Sequence, residues 1–377
     1  MRVCIEATAL LGPRSGVGHS VAALTEALVG CDPEMTVVLL PLSARRGRKL
    51  RSPVPGNERV EVLAKRLPAA VLSKAWTRAT WPPAELFCGR VDVFHGPNFL
   101  LPPLLHAGGV VTVHDLAFER VPDMCSPKVR TYSRSVPPSV DRASRVIVPS
   151  EFTRSELQDW LPESEAKVRV VHPGVRDCFA APGGRLNPHR AAELGLREPY
   201  VVFLGNLELR KNVGVVMDAF RMVAHKRPES QLVLAGSPST GWEEIAQAHK
   251  ELLDSSGVVV TGWLPDAEAA ALLRGASAFV YPSLYEGFGI PPLEALACGA
   301  PVVASDIPPL REGLGSHAVF VNPRSPEDLA GEVAKLLDEP PPARKTEAAR
   351  RHAGGFTWRR TAEATLDVYR EALEERS

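Results

Sequence analysis

Glu286 and Glu294 stand on either side of a glycine-bearing turn, in the run Glu-Gly-Phe-Gly-Ile-Pro-Pro-Leu-Glu-Ala-Leu-Ala-Cys-Gly-Ala-Pro from 286 to 301. The turn leads into a short helix. Glycine lets the backbone approach a ligand closely. A helix N-terminus offers N–H groups and the positive end of its dipole to an anion. Ionised carboxylates are strong hydrogen-bond acceptors, so two of them beside an anion site suit a phosphate flanked by hydroxyl groups. A nucleotide-diphosphate sugar has hydroxyls at both ends, on the ribose and on the hexose. Taken alone, the spacing also fits a helix start with two solvated glutamates.

A second cluster supplies the opposite charge. Leu204-Gly205-Asn206-Leu207-Glu208-Leu209-Arg210-Lys211-Asn212 follows an apolar run and precedes a helical pattern. Arg210 and Lys211 therefore fall on a loop at a strand's carboxyl end. Arginine grips phosphate through a planar fork, and lysine acts as a compact charge. Together they can neutralise a pyrophosphate leaving group without a metal. A basic pair is common on surfaces, and it is the position on this loop that gives it weight.

Near the N-terminus, Gly12-Pro13-Arg14-Ser15-Gly16-Val17-Gly18-His19-Ser20 also lies between a strand and a helix, where N–H groups can face a phosphate. It is not the G-x-G-x-x-G fingerprint, because Val21 takes the last position. The strand-like run from Val110 ends in His114-Asp115. His114 is suited to bond sugar hydroxyls or an incoming acceptor; the alternative is a pair that caps the next segment. His95-Gly96-Pro97-Asn98 ends the preceding strand and is a candidate lining on the acceptor side. Ser150 reads as a helix N-cap. No Asp-x-Asp pair, His-x-x-Glu-His array or Gly-x-Ser-x-Gly elbow occurs. The expectation is chemistry with no cofactor and no metal.

The elements that must hold these residues alternate between short apolar runs and helical patterns, which argues for parallel sheets with crossover helices. Strands are expected at 2–6, 36–41, 91–95, 109–114 and 145–149, with helices at 20–29 and 151–160. The same grammar restarts with strands at 200–204, 231–235, 257–261, 277–281, 301–304 and 318–321. Its helices fall at 213–226, 266–274, 293–298 and 326–337. Residues 176–199 read as the hinge region, with a short helix near 188–195. The expected division is 1–178, a linker at 179–199, and 200–356. A last helix follows Phe356-Thr357-Trp358. Two doubly wound domains facing across a cleft would bind ligands at the carboxyl ends of their strands.

At 377 residues the chain suits two domains. It is 45% hydrophobic and 23% charged, as expected of a soluble protein. No apolar run approaches the roughly 18 residues needed to span a bilayer. The six cysteines are scattered and suggest neither a disulfide framework nor zinc. With 44 basic and 44 acidic residues, a nucleic-acid partner is not expected. The basic segment Arg45, Arg46, Arg48, Lys49 and Arg51 is either a solvated loop or a contact with an anionic membrane surface or phosphorylated acceptor. The expected location is cytoplasmic, with the inner face of the membrane as a peripheral site. Oligomeric state is left open.

Taken in order, these motifs resemble glycosyltransferase family 4, whose members have the GT-B fold. The resemblance runs over nearly all of the chain. It includes the N-terminal glycine loop, His114-Asp115, Ser150-Glu151-Phe152-Thr153 and His172-Pro173-Gly174-Val175. It continues through Arg210-Lys211-Asn212, Gly262-Trp263-Leu264, Pro282 to Gly289, the Pro-Val-Val-Ala-Ser-Asp run at 301–306, and Phe356-Thr357-Trp358. It implies that Glu286 touches the donor sugar, Glu294 holds the ribose hydroxyls, and Arg210 and Lys211 bind pyrophosphate, with Gly205 on the same loop. Amides of Phe288, Gly289 and Ile290 would serve sugar and phosphate, and those of Gly16 and Gly18 would close on the phosphate. His114 would sit near the reacting centre, and backbone around Trp263 and Pro282 would frame the base. The last helix would return to the N-terminal domain.

The resemblance further implies a retaining, metal-independent transfer of a hexosyl group from a nucleotide-diphosphate sugar to an acceptor hydroxyl. GDP-mannose, UDP-glucose and UDP-N-acetylglucosamine all fit as donors, with a lean toward mannosyl. Two other readings stand beside it: a nucleotide-sugar epimerase, which needs no acceptor, and a non-catalytic nucleotide-binding subunit.

Overall fold

The computed structural model describes residues 1–12, 16–43, 50–63, 65 and 67–375. Residues 13–15 of the glycine loop and 45–49 of the basic segment lie outside the described residues. The chain divides into two compact units. The first is Met1–Arg120, Pro127–Gly174 and Thr357–Ser377; the second is Val121–Ser126 and Val175–Phe356.

In the first unit, seven parallel strands form one sheet: β1 (Arg2–Glu6), β2 (Thr36–Leu40), β3 (Val60–Val62), β4 (Val93–Gly96), β5 (Gly108–Thr112), β6 (Arg145–Val148) and β7 (Val168–Val170). Their order is β3-β2-β1-β4-β5-β6-β7. Side chains alternate faces along a strand, and here both faces are buried. Cys4, Val38 and Leu40 enter one core; Val3, Ile5, Val37 and Leu39 enter the other. Helices α1 (Gly16–Cys31), α2 (Tyr132–Arg142) and α3 (Glu151–Trp160) are among the crossovers. Ser150 caps α3 by accepting from the Thr153 N–H at 3.0 Å, as its position suggested.

The C-terminal helix, Trp358–Glu374, places Ala362, Leu366, Tyr369 and Ala372 in the same core as β1. It lies so close to β5 that a Cβ on Gly108 would stand 2.8 Å from the Ala372 carbonyl oxygen. Its Tyr369 hydroxyl meets His95 Nδ1 at 2.8 Å, and His95 Nε2 meets Thr112 Oγ1 at 2.8 Å. His95 is 1% exposed with both ring nitrogens engaged. It is therefore a tie between β4, β5 and this helix, and the acceptor lining expected of it is corrected.

The second unit repeats the scheme with β8 (Tyr200–Leu204), β9 (Gln231–Ala235), β10 (Val258–Gly262), β11 (Ala278–Tyr281), β12 (Val302–Ser305) and β13 (Val319–Val321). All are parallel, in the order β10-β9-β8-β11-β12-β13. Helices α4 (Val213–Lys226), α5 (Asp266–Gly275), α6 (Ile290–Cys298), α7 (Pro326–Asp338) and α8 (Ala343–Ala353) flank them. Residues 175–199 belong to this unit. Arg274 donates to the Cys178 carbonyl at 2.7 Å, and Arg190 pairs with Glu268 at 3.0 Å. The short helix expected near 188–195 is Pro188–Glu193, capped by Asn187.

Both sheets reverse their strand order beside their first strand. β1 lies between β2 and β4, and β8 between β9 and β11. In open parallel sheets the crevice outside the carboxyl ends at such a switch point is where ligands bind.

The buried His95 gives a test of the first unit. Burial, and next the charge of His114, push its pKa down to about 3. Its folded value thus lies below the unfolded one of about 6.5. Stability from keeping the ring neutral is complete above that pH and is lost as pH falls toward 3, by up to about 1.4 kcal/mol per unit. Urea unfolding at pH 7 and pH 5 should show this loss, and His95→Gln should reduce it. Tyr369→Phe, which strands a buried ring nitrogen, should cost ~1–3 kcal/mol at pH 7.

Candidate active site

The second unit carries its charges at the switch point between β8 and β11. β8 ends at Leu204, and the chain passes Gly205 at φ 149° into a single 3-10 turn, Leu209–Lys211. Asn212 follows in the left-handed region at φ 60°, a conformation that asparagine tolerates better than most residues. Its Nδ2 donates to the Pro282 carbonyl at 3.0 Å and to the Pro323 carbonyl at 2.6 Å. The Leu284 N–H donates to the Arg210 carbonyl at 2.9 Å. The bonds to Pro282 and from Leu284 fasten the loop after β8 to the loop after β11, and the bond to Pro323 ties it to the loop after β13.

Glu286 lies on that second loop with its side chain 8% exposed. Lys211 Nζ meets its Oε1 at 2.5 Å, and Arg210 reaches its Oε2 at 3.5 Å. Lys211 also donates to the Tyr281 hydroxyl. Arg210 donates to the Tyr285 carbonyl at 3.0 Å and pairs with Glu208 at 2.9 Å. Burial alone would raise the Glu286 carboxyl, but Lys211 and then Arg210 outweigh it and hold it below the ordinary value. Burial lowers the Lys211 pKa even though Glu286 works against that. The Tyr281 hydroxyl is pushed well up, by burial first and then by Glu286. The result is a water-poor corner with two cations and an ionised carboxylate.

The turn after Glu286 leads into α6. Gly289 has φ 99°, a conformation that favours glycine, and a Cβ there would also press on Leu310 Cδ2 at 2.3 Å. The Phe288 side chain is 4% exposed and packs on Phe356, which leaves its backbone as the part that can serve a ligand. No side chain caps α6, and Pro291 and Pro292 remove two N–H groups from its first turn. The donors of this terminus are thereby concentrated at Gly289, Ile290 and Leu293. Trp263 follows β10 and is 58% exposed, whereas Pro282 is buried beside Asn212.

Glu294, inside α6, has a different environment. It is 1% exposed, and Arg176 grips both its oxygens, Nε to Oε1 at 2.7 Å and Nη2 to Oε2 at 2.9 Å. The same guanidinium bonds Asp266 at 2.6 Å and lies 4.5 Å from the centre of the Phe179 ring. Sequence reasoning missed Arg176. The only signal for it was an unremarkable arginine directly after the His172-Pro173-Gly174-Val175 motif.

In the first unit, His114 lies two residues past β5. Its Nε2 meets the Pro97 carbonyl at 2.7 Å, and its ring stands edge-on to Phe99 at 5.5 Å. Burial pushes its pKa down. Asp115 accepts from the Ala117 N–H at 3.0 Å and so plays the capping role considered for the pair. Gly16 opens α1 and Gly18 is buried within its first turn. Among the described residues no group of three His, Cys, Asp or Glu side chains is placed to hold a metal ion. No described helix is long and apolar enough to cross a membrane.

Two family models match the chain. The model described as Glycosyltransferase Family 4 matches residues 14–177, and that described as Glycosyl transferases group 1 matches residues 187–353. The chain is 29% identical over 304 residues to an O-antigen chain mannosyltransferase B from Escherichia coli, covering 74% of each. It is 35% identical over 249 residues to a D-inositol 3-phosphate glycosyltransferase from Kribbella flavida, covering 62% of the chain and 58% of that protein. The chain thus spans less than two thirds of this second relative's length. A sucrose-phosphate synthase structure from Thermosynechococcus elongatus matches with a TM-score of 0.76 at 19% identity, both chains covered in full. That likeness speaks for the fold.

The charge corner predicts the effect of breaking it. Lys211→Met removes the nearest cation from a buried carboxylate and is expected to destabilise the protein by on the order of 3 kcal/mol. Urea unfolding at pH 7 measures this. A second substitution, Glu286→Gln, made in the Lys211→Met background should recover part of the loss.

Proposed function

The chain belongs to the family 4 glycosyltransferases, with their GT-B fold, and we propose that it moves a hexosyl group, with retention and without a metal, from a nucleotide-diphosphate sugar to an acceptor hydroxyl. The observation that carries this reading is the Arg210–Lys211 pair, held against Glu286 at the β8/β11 switch point. Arg210 and Lys211 meet the pyrophosphate, with backbone at Gly205, Gly289 and Ile290 as further donors. Glu286 accepts from the hexose hydroxyls, Glu294 from the ribose, and the backbone near Trp263 and Pro282 borders the base. Gly16, Gly18 and His114 serve the donor and acceptor from the first unit.

As the bond from the anomeric carbon to the phosphate oxygen breaks, negative charge grows on the phosphate. Fixed cations in a water-poor site stabilise that charge without reorganising. Glu286 is already bound to Lys211 and Arg210, so it serves as an acceptor for sugar hydroxyls and not as a nucleophile. The acceptor oxygen then bonds the anomeric carbon on the face the phosphate leaves, and its proton passes to a phosphate oxygen. The similarity to a mannosyltransferase supports a hexosyl donor. Glycan, glycolipid or glycosylated-metabolite synthesis is the setting such an acceptor implies, with the inner face of a membrane as a peripheral site.

A thermal-shift screen of nucleotide sugars should identify the donor, because binding raises apparent stability. Steady-state kinetics with that donor then test the leaving-group role. Arg210→Ala should lower kcat by about 10²–10³ and change KM far less. A KM effect at normal kcat would contradict the role. Turnover should also survive EDTA; a loss restored by magnesium or manganese would defeat the metal-free reading.

A further inference from the structure

Glu294 and Glu286 flank the same turn, yet among the described residues they share no cation. Glu286 is served by Lys211 and Arg210, Glu294 by Arg176. Arg176 is the second residue of the second unit's longer segment, Val175–Phe356, directly after the crossover from Gly174 to Val175. Its guanidinium is held from three sides: two bonds to Glu294, one to Asp266 at the start of α5, and the Phe179 ring beneath it. A planar fork held in this way fixes the rotation of the carboxylate as well as its charge. Each carboxylate oxygen has a second lone pair, so the grip leaves Glu294 able to accept from a ligand hydroxyl.

We propose that Arg176 is a positioning residue that keeps Glu294 ionised and oriented to accept the ribose hydroxyls of the donor nucleotide. This rests on the proposed function, in which Glu294 meets the ribose. Among the described residues, the charged and titratable groups facing Glu294 are Arg176, Asp266 from α5, Cys178 from the short helix Asp177–Ala180, and Cys298 on its own helix; Arg274 of α5 and Arg350 of α8 lie toward Cys298, where Arg350 donates to the carbonyl at the far end of α6. Asp266 opposes ionisation of Glu294, and Arg176 is the cation that favours it. Burial already raises the Glu294 carboxyl with Arg176 in place. Removing the guanidinium would raise it further, toward the pH range in which the protein works. A protonated carboxyl is a weaker acceptor for a hydroxyl than the ionised form.

The test is calorimetric titration of the full chain with GDP or UDP, whichever binds the wild type more tightly, and with its 2′,3′-dideoxy analogue, at pH 6 and pH 8.5. The phosphates titrate alike in every titration and cancel in the ratio of the two affinities. In the wild type the dideoxy analogue should bind at least tenfold more weakly at both pH values. In Arg176→Gln that discrimination should shrink to under threefold at pH 6 and return in part at pH 8.5. Arg176→Lys keeps the charge and gives up the fork. It should discriminate severalfold less than the wild type, with no dependence on pH, and it carries the test if the Gln variant does not fold. Discrimination equal to the wild type at both pH values in either folded variant would overturn the role of Arg176. A wild type that does not discriminate would instead remove Glu294 from the ribose, which is a failure of the functional reading itself.

Discussion

A carboxylate with 8% of its side chain exposed cannot remain charged unaided. Desolvation of such a group costs several kcal/mol, and only close, well-placed cations offset that cost. Glu286 is in this position. Its cations arrive from another strand's loop, 75 and 76 residues earlier in the chain. They reach it because the strand order reverses beside β8 and sets β11 next to it. Asn212 then fastens its own loop to the loop after β11 through the Pro282 carbonyl, and to the loop after β13 through the Pro323 carbonyl. Sheet topology, one left-handed residue and one buried charge thus depend on one another.

Buried polar groups are satisfied in two ways. Glu286 and Glu294 of the second unit are paired with cations. His95 of the first is kept neutral, with both nitrogens bonded to hydroxyl groups. A neutral ring bonded to Tyr369 and Thr112 suits a fastening for the C-terminal helix. Ionised groups suit a place where a charged substrate must be met, since their field is present before it arrives.

Much of this was legible in the chain. Apolar runs gave eleven of the strands to within two residues, and helices such as α3 and α4 matched closely, because buried parallel strands and amphipathic crossovers leave strong periodic signals. The strands β3 and β7, Val-Glu-Val and Val-Arg-Val, carry a charged residue at their centre and left no apolar run. Pro137 and Pro138 hid α2, since proline reads as a breaker although tertiary packing holds that helix together. α8, Ala-Arg-Lys-Thr-Glu-Ala-Ala-Arg-Arg-His-Ala, offers few apolar residues to detect. In the candidate site, the grouping of Arg210, Lys211 and Glu286 was readable because loop position and motif agree. Arg176 was not, because its partner lies 118 residues away and nothing local marks the pairing. His95 failed for the opposite reason. Its place at a strand end looked functional, and only the three-dimensional neighbourhood shows that the ring faces inward.

Gly289 has a neighbour in kind at Gly236, which follows β9. A Cβ on Gly236 would stand 1.8 Å from the Gly205 carbonyl oxygen, at a φ of 154°. Two backbones pass there with no room for a methyl group, one strand away from the cations. In a deep mutational scan, Gly236 would score as intolerant, and its location would invite its assignment as a substrate contact. Its intolerance has a steric origin, so a fitness map of this region would overstate the extent of the proposed binding surface. Proteolytic sensitivity or expression level, scored alongside activity, separates the positions that shape the loops from those that meet the ligand.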